Sequence, residues 1–577
     1  LNTQRLSVRD GAQVLTATFG NGDGGNLTVT ANDVELVGSG SQLGASVVQG
    51  ATGNGGTLTV NTQNLSVREG ARVSTSTFGN GDGGNLTVTA NDVELVGSGS
   101  QLGASVQREA TGNGGTLTLN TQRLSVRDGA QVLTATFGNG DGGNLTVTAN
   151  DVELLGSGSQ LGASVVQGAT GNGGTLTLHT QRLSVREAAQ IFTGTFGNGD
   201  GGNLTVTAND VELVGSGSQL GASVQRGARG NGGTLTLDTQ RLSVREGALI
   251  FTGTLGNGDG GNLTVTATDV ELVGRGGLAA SALSTSTGRA GTLTVNAENL
   301  TVRDGATIDV RSETSEPAGN LVINAPFILL DNQASLNADT TAGQGNIILN
   351  TSDLRLRHNS NITTNATGEA TGGNIEINTD TLVAIENSDI SANAQQAFGG
   401  QVIVNANAIF GTQFRTQPTG ASDITATSEL GPQFSGTVNL NTEIDPSSGL
   451  VDLPQRVVDP AALIAQDPCK QRGDSQFIIT GRGGIAPNPV QDSSVIPRLI
   501  ELESLLIEPV TPSVNRSSQR RQQQSKKRDN NTVDSRTIVP ARGWIRDEKG
   551  DVILVGYDPT KTGVQRQPQP IQCNPEQ

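Results

Sequence analysis

The sequence predicts an all-β fold: a right-handed parallel β-helix with three short strands in each rung of 26–31 residues, followed by a small non-repetitive C-terminal region. Three observations lead there. The segment Gly25-Asn26-Leu27-Thr28-Val29-Thr30-Ala31 returns with its leucine at Leu86, Leu145, Leu204 and Leu263, always 59 residues on. A weaker copy beginning Thr57-Leu58-Thr59-Val60 divides that period into 31 plus 28. Apolar and polar residues alternate in short runs, the period of a half-buried strand, and Gly, Asn, Asp and Ser separate the runs. Finally, 80 Gly among 577 residues and only 2% aromatics leave too little bulk for the core of a conventional globular protein, so short similar units must bury their apolar faces on one another.

Each element follows in chain order. Leu27/Val29, Val34/Leu36 and Leu43/Ala45 are the three inward pairs of one half-unit, and Leu58/Val60, Leu65/Val67 and Ala71/Val73 those of the next. Looser half-units start at Leu293, Leu321, Ile347, Ile375, Val402 and Val438, each after a Gly and a polar residue, which brings the strand starts to fifteen. At ~4.8 Å per rung the rod is roughly 70 Å long, and short parallel connections wind right-handed. On the outer surface Asp33 and Glu35 align one rung on with Asn64 and Ser66, so acids recur only every second rung. Arg68 lies diagonal to Glu35, close enough for an exposed ion pair.

Composition changes after Thr442: no Lys precedes Lys470, no Cys precedes Cys469, no Trp precedes Trp544 and no Tyr precedes Tyr557. The predicted segments are repeats over 1–443, a C-terminal segment over 444–515, a basic polar linker over 516–540, and a β-hairpin with its tail over 541–577. Residues 516–577 carry 12 basic and 7 acidic residues without an aromatic in the basic run from Arg516 to Arg528, as expected of a solvated linker. Leu499, Leu502 and Leu505 between Pro497 and Pro509 predict one short amphipathic helix. A net charge of −17 argues against nucleic acid or an anionic membrane as partner. No run of residues is long and apolar enough for a membrane helix. Leu1-Asn2-Thr3-Gln4-Arg5-Leu6 returns at Leu119, so the sequence is expected to start inside a repeat, as a fragment of a longer chain without a signal peptide of its own.

Candidate chemistry is sparse. The paired carboxylates Asp33 and Glu35 have the residue types of a polysaccharide-acting β-helix enzyme, but their equivalents recur in every 59-residue copy, whereas catalysis needs one asymmetric constellation. His179 and His358 stand far from each other and from any Cys or acid at metal-ligand spacing. Asp23, Asp82, Asp141, Asp200 and Asp259 sit in Gly-rich turns that echo calcium-binding repeats, making a calcium-stabilised scaffold a second alternative; the spacing of one Asp per 59 residues instead suits a plain turn. Asn26-Leu27-Thr28 matches a glycosylation sequon and opens a strand, which suits a stacked Asn. Phe19, Phe78, Phe137 and Phe196, with Leu255 in the fifth copy, precede the same turn. They either plug the mouth of that loop or form an apolar adhesive stripe. No cofactor or metal site is predicted, and no catalysis.

The repeated Gly-Gly-Asn-Leu-Thr-Val-Thr-Ala, Asp-Val-Glu-Leu and Gly-Ser pattern resembles the filamentous haemagglutinin-like exoproteins of two-partner secretion, of the cyanobacterial type. The ending is similar to that group's as well: Leu453-Pro454, Val458-Asp459-Pro460, Cys469, Phe477-Ile478-Ile479-Thr480-Gly481-Arg482-Gly483-Gly484-Ile485-Ala486-Pro487-Asn488-Pro489, Gly543-Trp544 and Tyr557-Asp558-Pro559. The family's N-terminal secretion domain has no counterpart in these residues. The resemblance implies a secreted or outer-membrane-associated cell-surface protein, exported by an outer-membrane pore partner. It also implies an adhesive or surface-structural role toward surface polysaccharide or neighbouring cells, and end-to-end self-association is expected of an exposed rung edge. Cys469 and Cys573 match positions where the family's ending places Cys. In an exported protein they are expected to form one disulfide, the alternative being two independent thiols.

Overall fold

The computed structural model describes residues 1–442 and the strands Gly543–Arg546 and Val552–Val555. Cys469, Cys573, the amphipathic segment after Pro497 and the basic linker lie outside the described residues. The chain divides into two compact units, Leu1–Val451 and Asp452–Gln577.

The first unit is a parallel β-solenoid of about fourteen turns. One rung is represented by Leu27–Thr30, Asp33–Val37 and Gln42–Gly44 and the next by Leu58–Asn61, Asn64–Arg68 and Arg72–Ser74. All fifteen expected starts, Leu27 to Val438, lie in strands of the first column, and each strand pairs in parallel with its counterpart one rung away. The 59-residue repeat is therefore two rungs. First and second strands belong to one 28-stranded sheet, because Asn374–Ala384 and Gln401–Phe410 run through the corner without a break; third strands form a separate 16-stranded sheet. In the second unit Gly543–Arg546 pairs antiparallel with Val552–Val555.

The interior is a set of single-file columns. Val29, Val60, Val88, Leu119, Val147 and Leu178 stand in register and are each fully buried. Such a coil has no second layer, so every inward side chain packs against its counterparts one rung above and below. This is why Val, Leu, Ile and Ala fill the inward positions of the first and second strands, while Thr and Ser join them in and after the third. Paired glycines mark the corner before the first strand. A Cβ on Gly115 would stand 1.9 Å from the carbonyl oxygen of Gly84, and one on Gly143 would stand 1.9 Å from that of Gly115. The rungs touch backbone to backbone there, which leaves no room for any other residue.

Candidate functional site

The solenoid presents outer faces of different chemistry, each made by one strand column. The face of the first strands is a hydroxyl ladder, with Thr28, Thr59, Thr87, Thr118, Thr146 and Thr177 in register and the column continuing through Thr294.

The second strands form a charge zipper. Glu35 lies 2.6 Å from Arg9 on one side and 3.4 Å from Arg68 on the other, so the diagonal pair expected from sequence is one half of a three-residue bridge. Glu212 repeats the bridge with Arg186 and Arg245, and Arg127–Glu153 at 3.3 Å and Glu271–Arg303 at 3.0 Å repeat one half of it. Burial works against the Glu212 carboxylate, but the hydrogen bonds and charges of those two arginines hold it below the usual carboxylate range. Asp33 and Glu35 thus serve inter-rung pairing along this column.

The turn acids have a comparable role. The Asp23 side chain accepts the backbone N–H of Asn54 at 2.8 Å, Asn54 that of Asp82 at 3.0 Å and Asp82 that of Asn113 at 2.7 Å. The ladder continues through Asp141, Asp200 and Asp259. Among the described residues no three His, Cys, Asp or Glu side chains gather where they could hold a metal ion. Asn26, the sequon residue, accepts the N–H of Thr57 at 3.0 Å and stacks as expected.

The third strands and the turn after them carry the face with the features of a binding surface. Bridges Thr18↔Val47, Val47↔Thr77 and Val106↔Thr136 place Phe19, Val48, Phe78, Gln107, Phe137, Val166, Phe196, Gln225, Leu255 and Leu283 in one column outside the coil. The inward positions beside them are the buried Val47, Thr77, Val106 and Thr136. The phenylalanines therefore stand outside the coil: Phe19 is 79% and Phe196 37% exposed, and Phe78 and Phe137 are half-buried.

A second outward column, Gln13, Gln42, Arg72, Gln101, Gln131, Gln160, Gln190 and Gln219, runs along the other edge. Between the two edges lies a floor whose residues match in size. Leu15 and Leu133 are followed two residues on by Ala17 and Ala135, Phe192 and Phe251 by Gly194 and Gly253, and Gly44, Gly103, Gly162 and Gly221 by serines. A Cβ on Gly194 would meet the Phe192 ring at 2.3 Å, and one on Gly221 the same ring at 2.8 Å, so each large side chain lies over glycine. Phe192 also touches Phe196, ring centroids 5.1 Å apart. The groove is best formed over about 320 Å³ between Gln131, Gln160 and Gln190 on one side and Phe137, Val166 and Phe196 on the other. Apart from Arg72, the edges and floor carry no charge from Gln13 to Leu283. The sequence signalled the stripe but not the glutamines, because only the rung register shows that they share an edge.

Beyond Leu283 the same face turns ionic. Asp309 is buried beside Arg311, 3.1 Å away, and Asp339 stands one rung on from Arg311. Burial pushes both carboxyls above the usual range, against the Arg311 charge in one case and the Asn365 N–H in the other. His358, read from sequence as isolated, lies 2.7 Å from Asp331 and 3.0 Å from Glu386. These neighbours are 27 and 28 residues away, one rung in each direction, so aligning rungs would have found them. His179 is exposed in the hydroxyl column's neighbour row, opposite Thr148 and Thr207. No protein-family model matches the chain, and no curated protein matches it.

Proposed function

We propose that this chain is a non-catalytic fibrous surface protein that adheres through its uncharged face. The observation that carries the proposal is the outward stripe from Phe19 to Leu283, which repeats an aromatic or leucine at every second rung beside an uncharged groove. Equal sites along a rigid rod add as multivalent contacts, so weak single contacts give firm attachment. Surface apolar rows of this length mark interaction sites on soluble proteins. Export through a partner pore of the outer membrane, and a secreted or surface location, belong to the same proposal and rest on the resemblance of the repeat and of the ending. The test is adhesion of the purified chain to cells from its own source, compared with a variant carrying Phe78→Ser, Phe137→Ser and Phe196→Ser together. The variant is expected to lose about a hundredfold in apparent affinity, as a multivalent contact does when its sites are removed. Equal adhesion by both would refute the proposal.

One observation favours a polysaccharide-acting enzyme instead: Asp309, buried beside Arg311, and Asp339, one rung on from Arg311, are acids that occur once and not in every copy of the repeat. New reducing ends or unsaturated ends released from a polysaccharide by the native chain, and not by an Asp309→Asn variant, would establish that reading.

A further inference from the structure

We propose that the uncharged groove binds a single extended, neutral β-1,4-linked glycan lying parallel to the solenoid axis. This rests on the adhesive reading and names its ligand. Three observations select that chemistry.

The first is charge. A zipper of Arg, Glu and Asp covers the neighbouring face, and Asp309, Arg311 and Glu313 end the groove. From Gln13 to Leu283 its edges and floor are neutral except at Arg72. A polyanion would find only Arg72 on those edges and a basic peptide no acid, whereas an uncharged polymer loses no ionic hydration on entering.

The second is unused hydrogen-bonding capacity. The Gln131, Gln160 and Gln190 side chains are half-buried, and their amides make no hydrogen bond with any described residue. This is not how the protein treats its other amide columns. Asn296, Asn324, Asn350, Asn378, Asn405 and Asn441 pass amide hydrogen bonds rung to rung at 2.7–3.0 Å. Each free glutamine amide offers two donors and an acceptor, the complement of sugar hydroxyls.

The third is spacing. Phe78, Phe137 and Phe196 recur every second rung, roughly 9–10 Å apart. That interval is commensurate with the two-sugar repeat of an extended β-1,4-linked chain. In such a chain alternate rings turn the same C–H face to one side, and apolar ring faces stack on aromatics while the edge hydroxyls reach the glutamines. An α-1,4-linked chain coils and cannot hold this register.

The test titrates the full chain with cellohexaose and chitohexaose, with maltohexaose and polygalacturonate alongside. One of the two β-1,4 hexaoses is expected to bind at least about tenfold more tightly than its own disaccharide, because the longer chain spans several sites. Phe137→Ala and Gln160→Ala should each weaken that binding several-fold with unchanged circular dichroism, and Thr177→Ala on the hydroxyl face should leave it unchanged. The inference is overturned if neither β-1,4 hexaose binds. It is equally overturned if maltohexaose or polygalacturonate binds as well as they do, or if both groove variants bind like the native chain. Sedimentation showing that Phe137 instead joins two copies of this chain, with no glycan bound, would also overturn it. Loss of cell adhesion in the triple phenylalanine variant without glycan binding would overturn the glycan and leave the adhesive reading standing. Glycan binding with undiminished adhesion by that variant would do the reverse.

Discussion

Replacing Val88 with Asp probes the single-file core directly. Val88 is fully buried, with Val60 below and Leu119 above in register, and no polar side chain shares that column. Removing the valine forfeits about 1.5–3 kcal/mol of burial. A carboxyl left without a partner costs about 1–3 kcal/mol more. Such a group enters protonated, which at pH 7 costs about 4 kcal/mol from an unperturbed value near 4 at about 1.4 kcal/mol per unit. The sum, about 7–10 kcal/mol, rivals the stability of a whole ordinary domain. In a solenoid the loss falls on the rung and its neighbours, because each rung touches only the next. Thr87→Asp places the same group on the outer face, opposite Thr59 and Thr118, and should cost about 1 kcal/mol or less. Hydrogen exchange read by mass spectrometry distinguishes the two. Val88→Asp should strip protection from Leu58–Asn61, Leu86–Thr89 and Leu117–Asn120 while Leu263–Thr266 stays protected, and Thr87→Asp should leave all four as they are. At pH 4 the protonation cost vanishes and part of the protection should return. Equal loss in the two variants, or none in Val88→Asp, would refute the assignment of inward and outward faces.

Gly143→Ala should destabilise its corner by about 1–3 kcal/mol through the contact with the Gly115 carbonyl, and Gly168→Ala, in open space at φ +85°, only by the left-handed backbone cost of about 1–2 kcal/mol; urea-dependent exchange of the adjoining strands measures both. Asp141→Asn keeps the acceptor that holds the Asn172 N–H at 2.7 Å and should leave stability unchanged with or without calcium, whereas Asp141→Ala should lose about 1 kcal/mol by the same exchange measurement. Two regions of the solenoid, around Glu212 and around Asp309, should answer pH oppositely. Asp309 and Asp339 have raised pKa values, so the native state keeps protons that the unfolded chain has already lost. Their contribution is full below the ordinary carboxylate range and disappears as pH rises through the folded values. Glu212 has a lowered value, so its contribution is present above that range and is lost as pH falls through the folded value. Exchange of Thr307–Asp309 should therefore slow on acidification relative to native intrinsic rates, with Asp309→Asn removing the trend, and exchange of Asp210–Val214 should accelerate.

Much of the fold was legible because a strand's two faces are written locally. Alternation at Leu27/Val29 and Val34/Leu36 states which side is buried, and the 59-residue period split at Leu58 states how far the next rung lies along the chain. These two facts together place Arg68 diagonal to Glu35, while its second partner, Arg9, appeared only with the structure. What stayed hidden depends on contacts between residues a rung apart, at distances set by how closely the backbones approach. Gly115 reads as a turn residue, and only the stacked rungs show a carbonyl where its Cβ would be. Asp141 reads as a calcium ligand or a turn, and only the stack shows its oxygen taken by Asn172. The phenylalanines read as plugs of the loop they precede before they read as a stripe, because a residue at a corner belongs to neither phase of the alternation. The register of the buried Val47 and Thr77 decided that Phe78 faces outward and that the unpaired glutamines line the opposite edge of its groove.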